Sequence, residues 1–306
     1  MSAVQFNKKG KVSRVLPFSC VDGPGNRLVI FLQGCNFNCL NCHNPHTINH
    51  CNHCGDCVTT CPSGALIKKN NNVVWLEEVC THCDRCLETC SYHSNPKIKE
   101  WTVLDMIDLI RKHHLFIDGV TVSGGEATLQ LGFIVELFKA IKQDVELAHL
   151  SCFIDSNGSL TTHGWVKIAP YLDGAMIDLK AWQSETHRWL VGRDNHRVIL
   201  SIKYLVELGK LHEVRLLHIP EKSDLACEVD ALAQFLNTLP DRVTIRLNGF
   251  AHHGVIGEAL NWPACDRESM NGFYQALKRR IPHRIALPKT PLYRDIALVV
   301  ETATSH

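Results

Sequence analysis

Three cysteines share one short loop, Gly34-Cys35-Asn36-Phe37-Asn38-Cys39-Leu40-Asn41-Cys42-His43-Asn44-Pro45, in the spacing Cys35-x3-Cys39-x2-Cys42. Thiolates are the ligands of iron–sulfur clusters, and a 4Fe–4S cube normally takes four of them. Three on a tight loop hold three irons and leave the fourth open. An open metal position marks a site that does chemistry rather than one that only staples a fold. A zinc knuckle with His43 as fourth ligand, or three buried thiols, would use the same residues without that chemistry.

A second constellation follows. Cys51-x2-Cys54-x2-Cys57-x3-Cys61-Pro62 recurs as Cys80-x2-Cys83-x2-Cys86-x3-Cys90, an internal repeat with an offset of 29 residues from Cys51 to Cys80. The run resembles the bacterial two-cluster ferredoxins, in which the fourth cysteine of each run serves the other cluster. That resemblance implies one cluster on Cys51, Cys54, Cys57 and Cys90 and another on Cys80, Cys83, Cys86 and Cys61. Ser91 stands where the second run would usually have proline. A zinc ribbon on Cys51, Cys54, Cys80 and Cys83 would leave four thiols at cluster spacing unexplained. So short a segment has little room for an apolar core, and clusters would stabilise it directly.

Of 15 cysteines in 306 residues, 12 lie between Cys20 and Cys90, while the rest of the chain has an ordinary α/β pattern. Residues 1–14 are polar and lack an apolar signal core. Metal binding in a reducing cytoplasm therefore fits better than a disulfide scaffold. No uncharged apolar run approaches the length of a membrane span, so no membrane is expected. With 32 basic and 31 acidic residues mixed along the chain, the net charge is +1, and no electrostatic footprint for nucleic acid exists. Most of the 18 histidines read as surface or satisfied core positions.

These sites need a scaffold. Residues 27–32 read as a strand too apolar to face water on either side. From Trp101 onward strands and helices alternate. Helices are expected at 103–115, opened by Thr102 as N-cap, and at 131–141, 164–171, 197–208, 225–236 and 269–277. Strands are expected at 119–122, 150–154, 175–179, 214–219 and 243–247. Such alternation argues a parallel sheet with helices outside it. Polar clusters follow the strands at their C-terminal ends, which favours partial closure into a barrel. The expected fold is therefore α/β: a partial (β/α)6 TIM-like barrel from 12–48 and 101–282. A two-cluster ferredoxin-like segment is inserted at 49–100, and a proline-containing tail covers 283–306.

Thr121-Val-Ser-Gly-Gly-Glu126 follows the second strand. Gly124 and Gly125 let a ligand approach the backbone, and Glu126 can accept from an ammonium group, although such a run is often only a turn. Asp155-Ser-Asn-Gly158 follows the third strand and reads by itself as an Asx-type turn with Gly158 at positive φ. Met176-Ile-Asp178-Leu-Lys180 ends the fourth strand, where an Asp-x-Lys is usually a surface ion pair.

Together with Cys35, Cys39 and Cys42, these stretches resemble the radical S-adenosylmethionine (SAM) superfamily. Within it, the chain from about Val12 to Gly254 resembles the glycyl-radical-enzyme activating enzymes. Asp155–Gly158 and Met176–Lys180 are similar to the Asp-Thr-Asn-Gly and Met-Leu-Asp-Leu-Lys stretches of the pyruvate formate-lyase activating enzymes. The ferredoxin-like insert brings the chain nearest to the YjjW-type group of activases. The resemblance implies that Gly124, Gly125 and Glu126 grip the methionine amino group of SAM. Asp155, Ser156, Asp178 and the Met176 carbonyl would hold a monovalent cation, and Lys180 would meet the SAM carboxylate. Asp22, in Asp-Gly-Pro-Gly25, and Arg215 match residues near the substrate peptide. Leu190-Val-Gly-Arg-Asp-Asn195 matches a recurring stretch. Two departures stand. Asn41 replaces the aromatic residue that usually precedes the third cysteine. Ala251 occupies the position of a SAM-site histidine, with His252 following it as the candidate substitute.

The resemblance implies three 4Fe–4S clusters and reductive cleavage of SAM to a 5′-deoxyadenosyl radical. That radical would abstract hydrogen from a glycine of a partner glycyl radical enzyme, with electrons from a donor such as flavodoxin or ferredoxin. Two alternatives are a radical SAM enzyme acting on a small molecule and an iron–sulfur electron carrier. The carrier would need neither Gly124–Glu126 nor Asp178-x-Lys180.

Overall fold

The computed structural model describes residues 3–288, and the expected tail beyond position 288 lies outside the described residues. The chain forms two compact units. One holds the described residues up to Asn36 together with Asn44–Leu150; the other holds Phe37–His43 and the described residues from Ser151 onward.

In the first unit, β1 (Lys9–Ser19) pairs antiparallel with β2 (Arg27–Leu32). The cysteine-rich segment follows: α1 (Asp56–Thr59), β3 (Leu66–Lys69), β4 (Asn72–Trp75) and α2 (Arg85–Thr89). The chain returns through β5 (Lys99–Thr102), which pairs antiparallel with β1, then α3 (Val103–His113), β6 (Gly119–Gly124) and α4 (Leu131–Gln143). β2 and β6 are parallel neighbours, giving the order β5-β1-β2-β6. Thr102 opens α3 with a capping box: its hydroxyl accepts from Asp105 N while the Asp105 carboxylate accepts from Thr102 N. β1 was not expected from sequence. It alternates exposed Lys9, Lys11 and Arg14 with buried Gly10 and Val12 and contains Pro17, so it lacks the continuous apolar run of β2.

Within residues 49–100, β3 and β4 form a hairpin. Cys57, Leu66, Val73 and Cys86 make a small buried cluster under Val58, Trp75 and Leu87. The sequence repeat recurs in the backbone. His53 and His82 both adopt positive φ (60° and 53°), as do their neighbours Gly55 and Asp84 (100° and 58°). Thr60 and Thr89, 29 positions apart like the repeated cysteines, join hydroxyls at 3.1 Å. Contact between a residue and its own repeat equivalent is what a local two-fold axis produces.

The second unit is a parallel sheet. It comprises β7 (Ser151–Ser156), α5 (Thr162–Ile168), β8 (Gly174–Leu179), α6 (Ser184–Val191), α7 (His196–Glu207) and β9 (Leu211–His218). It ends with α8 (Val229–Leu236), β10 (Thr244–Gly249), α9 (Arg267–Lys278) and the short β11 (Ile285–Ala286). Strand order is β7-β8-β9-β10-β11, parallel throughout. α8 begins at Val229, later than expected, because turns occupy the residues before it. α6 and β11 were not anticipated. On one face of this sheet Ile154, Ala175, Ile177, Leu179, Val214, Leu216, Ile245 and Leu247 are fully buried. Strand periodicity then puts Asp155, Met176, Asp178, Glu213, Arg215 and Arg246 on the other face.

His187 and His218 lie inside this unit, and burial lowers the pKa of both rings. His187 Nδ1–H donates to Arg193 O at 2.6 Å, and its Nε2 is buried without a hydrogen-bond partner. His218 Nε2 meets Ser269 Oγ at 2.8 Å while its Nδ1 is likewise buried without one. Protonating either ring creates a buried donor with no acceptor. The unfolded chain therefore binds more protons than the folded one once pH falls below about 6.5. Stability is complete above that value and declines beneath it. We expect the urea midpoint to fall between pH 7.5 and pH 5.5, and to fall less when His187 and His218 are both replaced by asparagine. An equal fall in the two proteins would contradict this assignment.

Candidate active site

β2 delivers the chain to Gly34 and Cys35, and β6 delivers Gly124, Gly125 and Glu126 to the same place within the first unit. Backbone hydrogen bonds join the two loops. Gly125 N donates to Leu32 O (3.0 Å) and Glu126 N to Gly34 O (2.8 Å), while Gly34 N donates to Thr47 O (2.8 Å) and Cys35 N to Ile48 O (3.0 Å). The paired glycines are a steric necessity. A Cβ on Gly124, whose φ is +125°, would lie 2.2 Å from Leu32 O, and one on Gly125 would lie 2.4 Å from Gly34 O. Glu126 is 1% exposed, and its carboxylate accepts from the backbone N–H of Thr128 at 3.0 Å and from the Thr128 hydroxyl. A cavity of about 730 Å³ in this unit reaches from Arg14 and Phe31 to Trp75, Lys97, Trp101 and Gly124. That volume falls in the range of small-molecule and cofactor sites.

Asp22 belongs to the same unit. Thr121 Oγ1 donates to Asp22 O at 2.7 Å and accepts from Arg27 Nε at 2.6 Å, and Ser19 Oγ donates to the Asp22 carboxylate. Buried Arg27 also donates to Pro24 O and Val120 O, so the whole Asp22–Gly25 turn is tied to β6.

In the second unit the middle of the cysteine loop pairs with the end of α6. Asn38 N donates to Val191 O (3.0 Å) and Leu40 N to Leu190 O (2.9 Å). Leu190 and Val191 open the Leu190–Asn195 stretch that sequence singled out. Lys180 bonds Asp178 at 2.9 Å. Burial opposes its charge, but Asp178 and then Cys39 and Cys42 hold its pKa above the usual lysine range. Lys180 therefore lies in the field of two loop cysteines. The His43 carbonyl presses on Gly254, where a Cβ would sit 2.1 Å away. His43, absent from the expected SAM-binding set, has a buried Nε2 without a hydrogen-bond partner and a pKa lowered by burial, then by Lys180. Asn41, the departure from the aromatic residue, is 4% exposed with an Oδ1 lacking a hydrogen-bond partner. His252 Nε2–H donates to Trp262 O at 2.8 Å.

Asp155 is ion-paired with Arg215 at 3.0 Å. Each carboxylate of the expected cation site thus already faces a side-chain cation, Asp155 facing Arg215 and Asp178 facing Lys180. Ser156 Oγ accepts from Gly158 N at 3.0 Å and closes its own turn, with Gly158 at φ +74°. Glu213 and Arg246, which sequence reasoning missed, extend the network. Their only sequence signal is a carboxylate two residues before Arg215 and an arginine in the next apolar strand.

Seven of the eight cysteines of residues 49–100 can be placed beside one another, with Cys86 near both sets. Cys61, Cys80, Cys83 and Cys86 line one small cavity beside Trp75. The Cys57 thiol is pushed up to about 11, first by burial and then by Cys51, Cys86 and Cys90, so Cys51 and Cys90 lie near it. None of the fifteen cysteines, all of them among the described residues, is in a disulfide. Among the described residues no three His, Cys, Asp or Glu side chains converge as for a single metal ion. A cube puts each thiolate on a different iron, so its ligands need not meet at one point.

In the first unit the start of the cysteine loop is stitched to a Gly-Gly-Glu turn, and in the second a lysine lies in the field of Cys39 and Cys42; each feature belongs to the same class of cluster enzyme. The radical SAM superfamily matches residues 29–236, and the chain belongs to it. It is a radical SAM enzyme, which implies a 4Fe–4S cluster and SAM. It is 29% identical to the pyruvate formate-lyase 1-activating enzyme of Escherichia coli, over 77% of this chain and 80% of that one. It is 26% identical to the pyruvate formate-lyase-activating enzyme of Streptococcus mutans, over 75% and 73% of the two chains. Among solved structures it shares the fold of QueE from Escherichia coli, with a TM-score of 0.52 at 13% identity over 93% of this chain and 97% of that one. No helix among the described residues is long and apolar enough to cross a membrane.

Proposed function

We propose that this radical SAM enzyme activates a glycyl radical enzyme by removing a hydrogen atom from a glycine Cα on a loop of that partner. The observation that carries the reading is the similarity to pyruvate formate-lyase-activating enzymes along three quarters of the chain, at 26–29% identity. Bound together, a cluster and SAM supply the carbon radical that such a C–H bond requires.

The chain's own residues bind, orient and exclude water. Cys35, Cys39 and Cys42 hold three irons. Gly124 and Gly125 bring backbone against SAM where no side chain fits, Glu126 takes its ammonium group, and Lys180 takes its carboxylate. Asp155, Ser156 and Asp178 line the same end of the sheet. Burial of Glu126 and Lys180 strengthens both contacts by removing water. Asp22 and Arg215 face the incoming glycine loop. We also propose that residues 49–100 are a ferredoxin-like insert passing electrons inward from a donor such as flavodoxin or ferredoxin. The grouping of Cys61 with Cys80, Cys83 and Cys86 supports the exchanged-ligand pairing of its two clusters. Six strand–helix units closing only partly into a barrel would leave room for a protein loop.

The test is anaerobic incubation of reduced protein and SAM with the glycyl radical protein encoded nearest its gene. The expected result is a doublet in the electron paramagnetic resonance spectrum that collapses when the partner's glycine is deuterated at Cα. SAM cleavage with turnover of a metabolite, and no radical on the partner, would replace this reading with a small-molecule enzyme.

A further inference from the structure

Glu213 is the most committed carboxylate of the second unit. Its side chain is 3% exposed, and its two oxygens serve two arginines on adjacent strands. Arg215 Nε donates to Oε1 at 2.8 Å, and Arg246 Nε and Nη2 both reach Oε2 at 2.8 Å. The register places Arg215 directly opposite Arg246 and Asp178 opposite Arg215. Burial opposes the Glu213 charge, but Arg246 and Arg215 hold its carboxyl below the usual range. With both oxygens engaged, Glu213 acts through the arginines.

Arg215 is gripped from two sides. Nε is on Glu213, Nη1 is on Asp155 at 3.0 Å, and Nη2 rests on the Met176 sulfur at 3.0 Å. A carboxylate bond to a guanidinium is strong, whereas a thioether is a weak acceptor. The Met176 contact is therefore the one that an incoming oxygen can displace without moving the guanidinium.

We propose that Glu213 is a positioning residue for substrate binding: clasped by Arg246, it fixes Arg215 so that Nη2 is presented to a peptide carbonyl of the partner's glycine loop, which takes the place of the Met176 sulfur. This rests on the activase reading above. Losing Glu213 leaves the Arg215 guanidinium held by Asp155 alone and free to turn about that bond, and the substrate then meets a guanidinium that must be reoriented first.

The experiment uses cluster-loaded, reduced protein, SAM and the neighbouring glycyl radical protein, with Glu213→Gln, Glu213→Asp and the double variant Glu213→Gln/Arg246→Gln. The double variant removes the buried pair as a unit and guards against misfolding of the single one. In Glu213→Gln and the double variant, the partner concentration giving half-maximal radical formation should rise at least tenfold. The rate at saturating partner should stay within threefold, and SAM affinity and partner-free SAM cleavage within twofold. Glu213→Asp should recover part of the loss. A strong wild-type radical signal with unchanged half-saturation in Glu213→Gln, or SAM affinity falling as far as partner affinity, overturns this inference alone. No radical on the partner with wild-type protein overturns the activase reading and this inference with it.

Discussion

Replacing Cys35, Cys39 and Cys42 together with alanine is expected to abolish SAM cleavage and to lower iron from about twelve to about eight atoms per chain, one cube's worth. The loop itself should survive. Its anchors, Asn38 N to Val191 O and Leu40 N to Leu190 O, are backbone bonds that alanine leaves intact. The two clusters proposed for residues 49–100 should also survive, because Cys61, Cys80, Cys83 and Cys86 line a separate cavity in their own segment. The triple variant thus separates the SAM chemistry from the electron supply proposed for residues 49–100. Iron analysis and 5′-deoxyadenosine release after chemical reduction read the two quantities independently. Iron at the wild-type level, or SAM cleavage persisting, would remove these three cysteines from the site.

A single methyl group on Gly125 should be nearly as damaging. Its Cβ would meet Gly34 O at 2.4 Å and Thr47 O at 2.7 Å, both main-chain atoms. Neither can yield easily, because Thr47 O accepts from Gly34 N and Gly34 O from Glu126 N. Overpacking of this kind costs about 1–3 kcal/mol. Here the strain falls on the bonds that hold Glu126 beside the first cysteine of the loop. Gly125→Ala should therefore weaken SAM binding at least tenfold while leaving the iron proposed for residues 49–100 in place. Gly272→Ala is the matched control. It lies in α9 with nothing within 4 Å of the added methyl, and it should stabilise the helix by up to about 1 kcal/mol. Equal SAM affinity in wild type and Gly125→Ala would show that the glycine turn plays no part in holding SAM.

The cysteine loop, the cysteine repeat and the alternation of strands and helices could be read from residues alone because each is local. Thiolate spacing along a few residues limits which metal groups can be bridged, whatever the surrounding fold. Buried strands such as β2 and β8 are mostly apolar along their length, and that run is visible in one dimension. β1 and α6 escaped for the opposite reason. β1 mixes charged and apolar residues around Pro17, and α6 is a short helix with a polar surface.

Other features were decided by which strands become neighbours. Period two puts Glu213 and Arg215 on one face of β9, but nothing in that strand says that β10 brings Arg246 to the same carboxylate. Nor does it say that Arg215 bridges to Asp155 on β7. Pairing between strands is long-range, set by hydrogen-bond register and by the helices packed outside, so charge networks across a sheet emerge only when it assembles. The same holds for Gly125. Its sequence says only that a ligand or a turn could use a bare backbone, whereas the fold puts Gly34 O and Thr47 O against it and makes glycine obligatory. Residue types and their spacing pointed to an iron–sulfur cluster, and their resemblance to a known superfamily to SAM; tertiary packing alone decided which backbone atoms and which buried charges surround those residues.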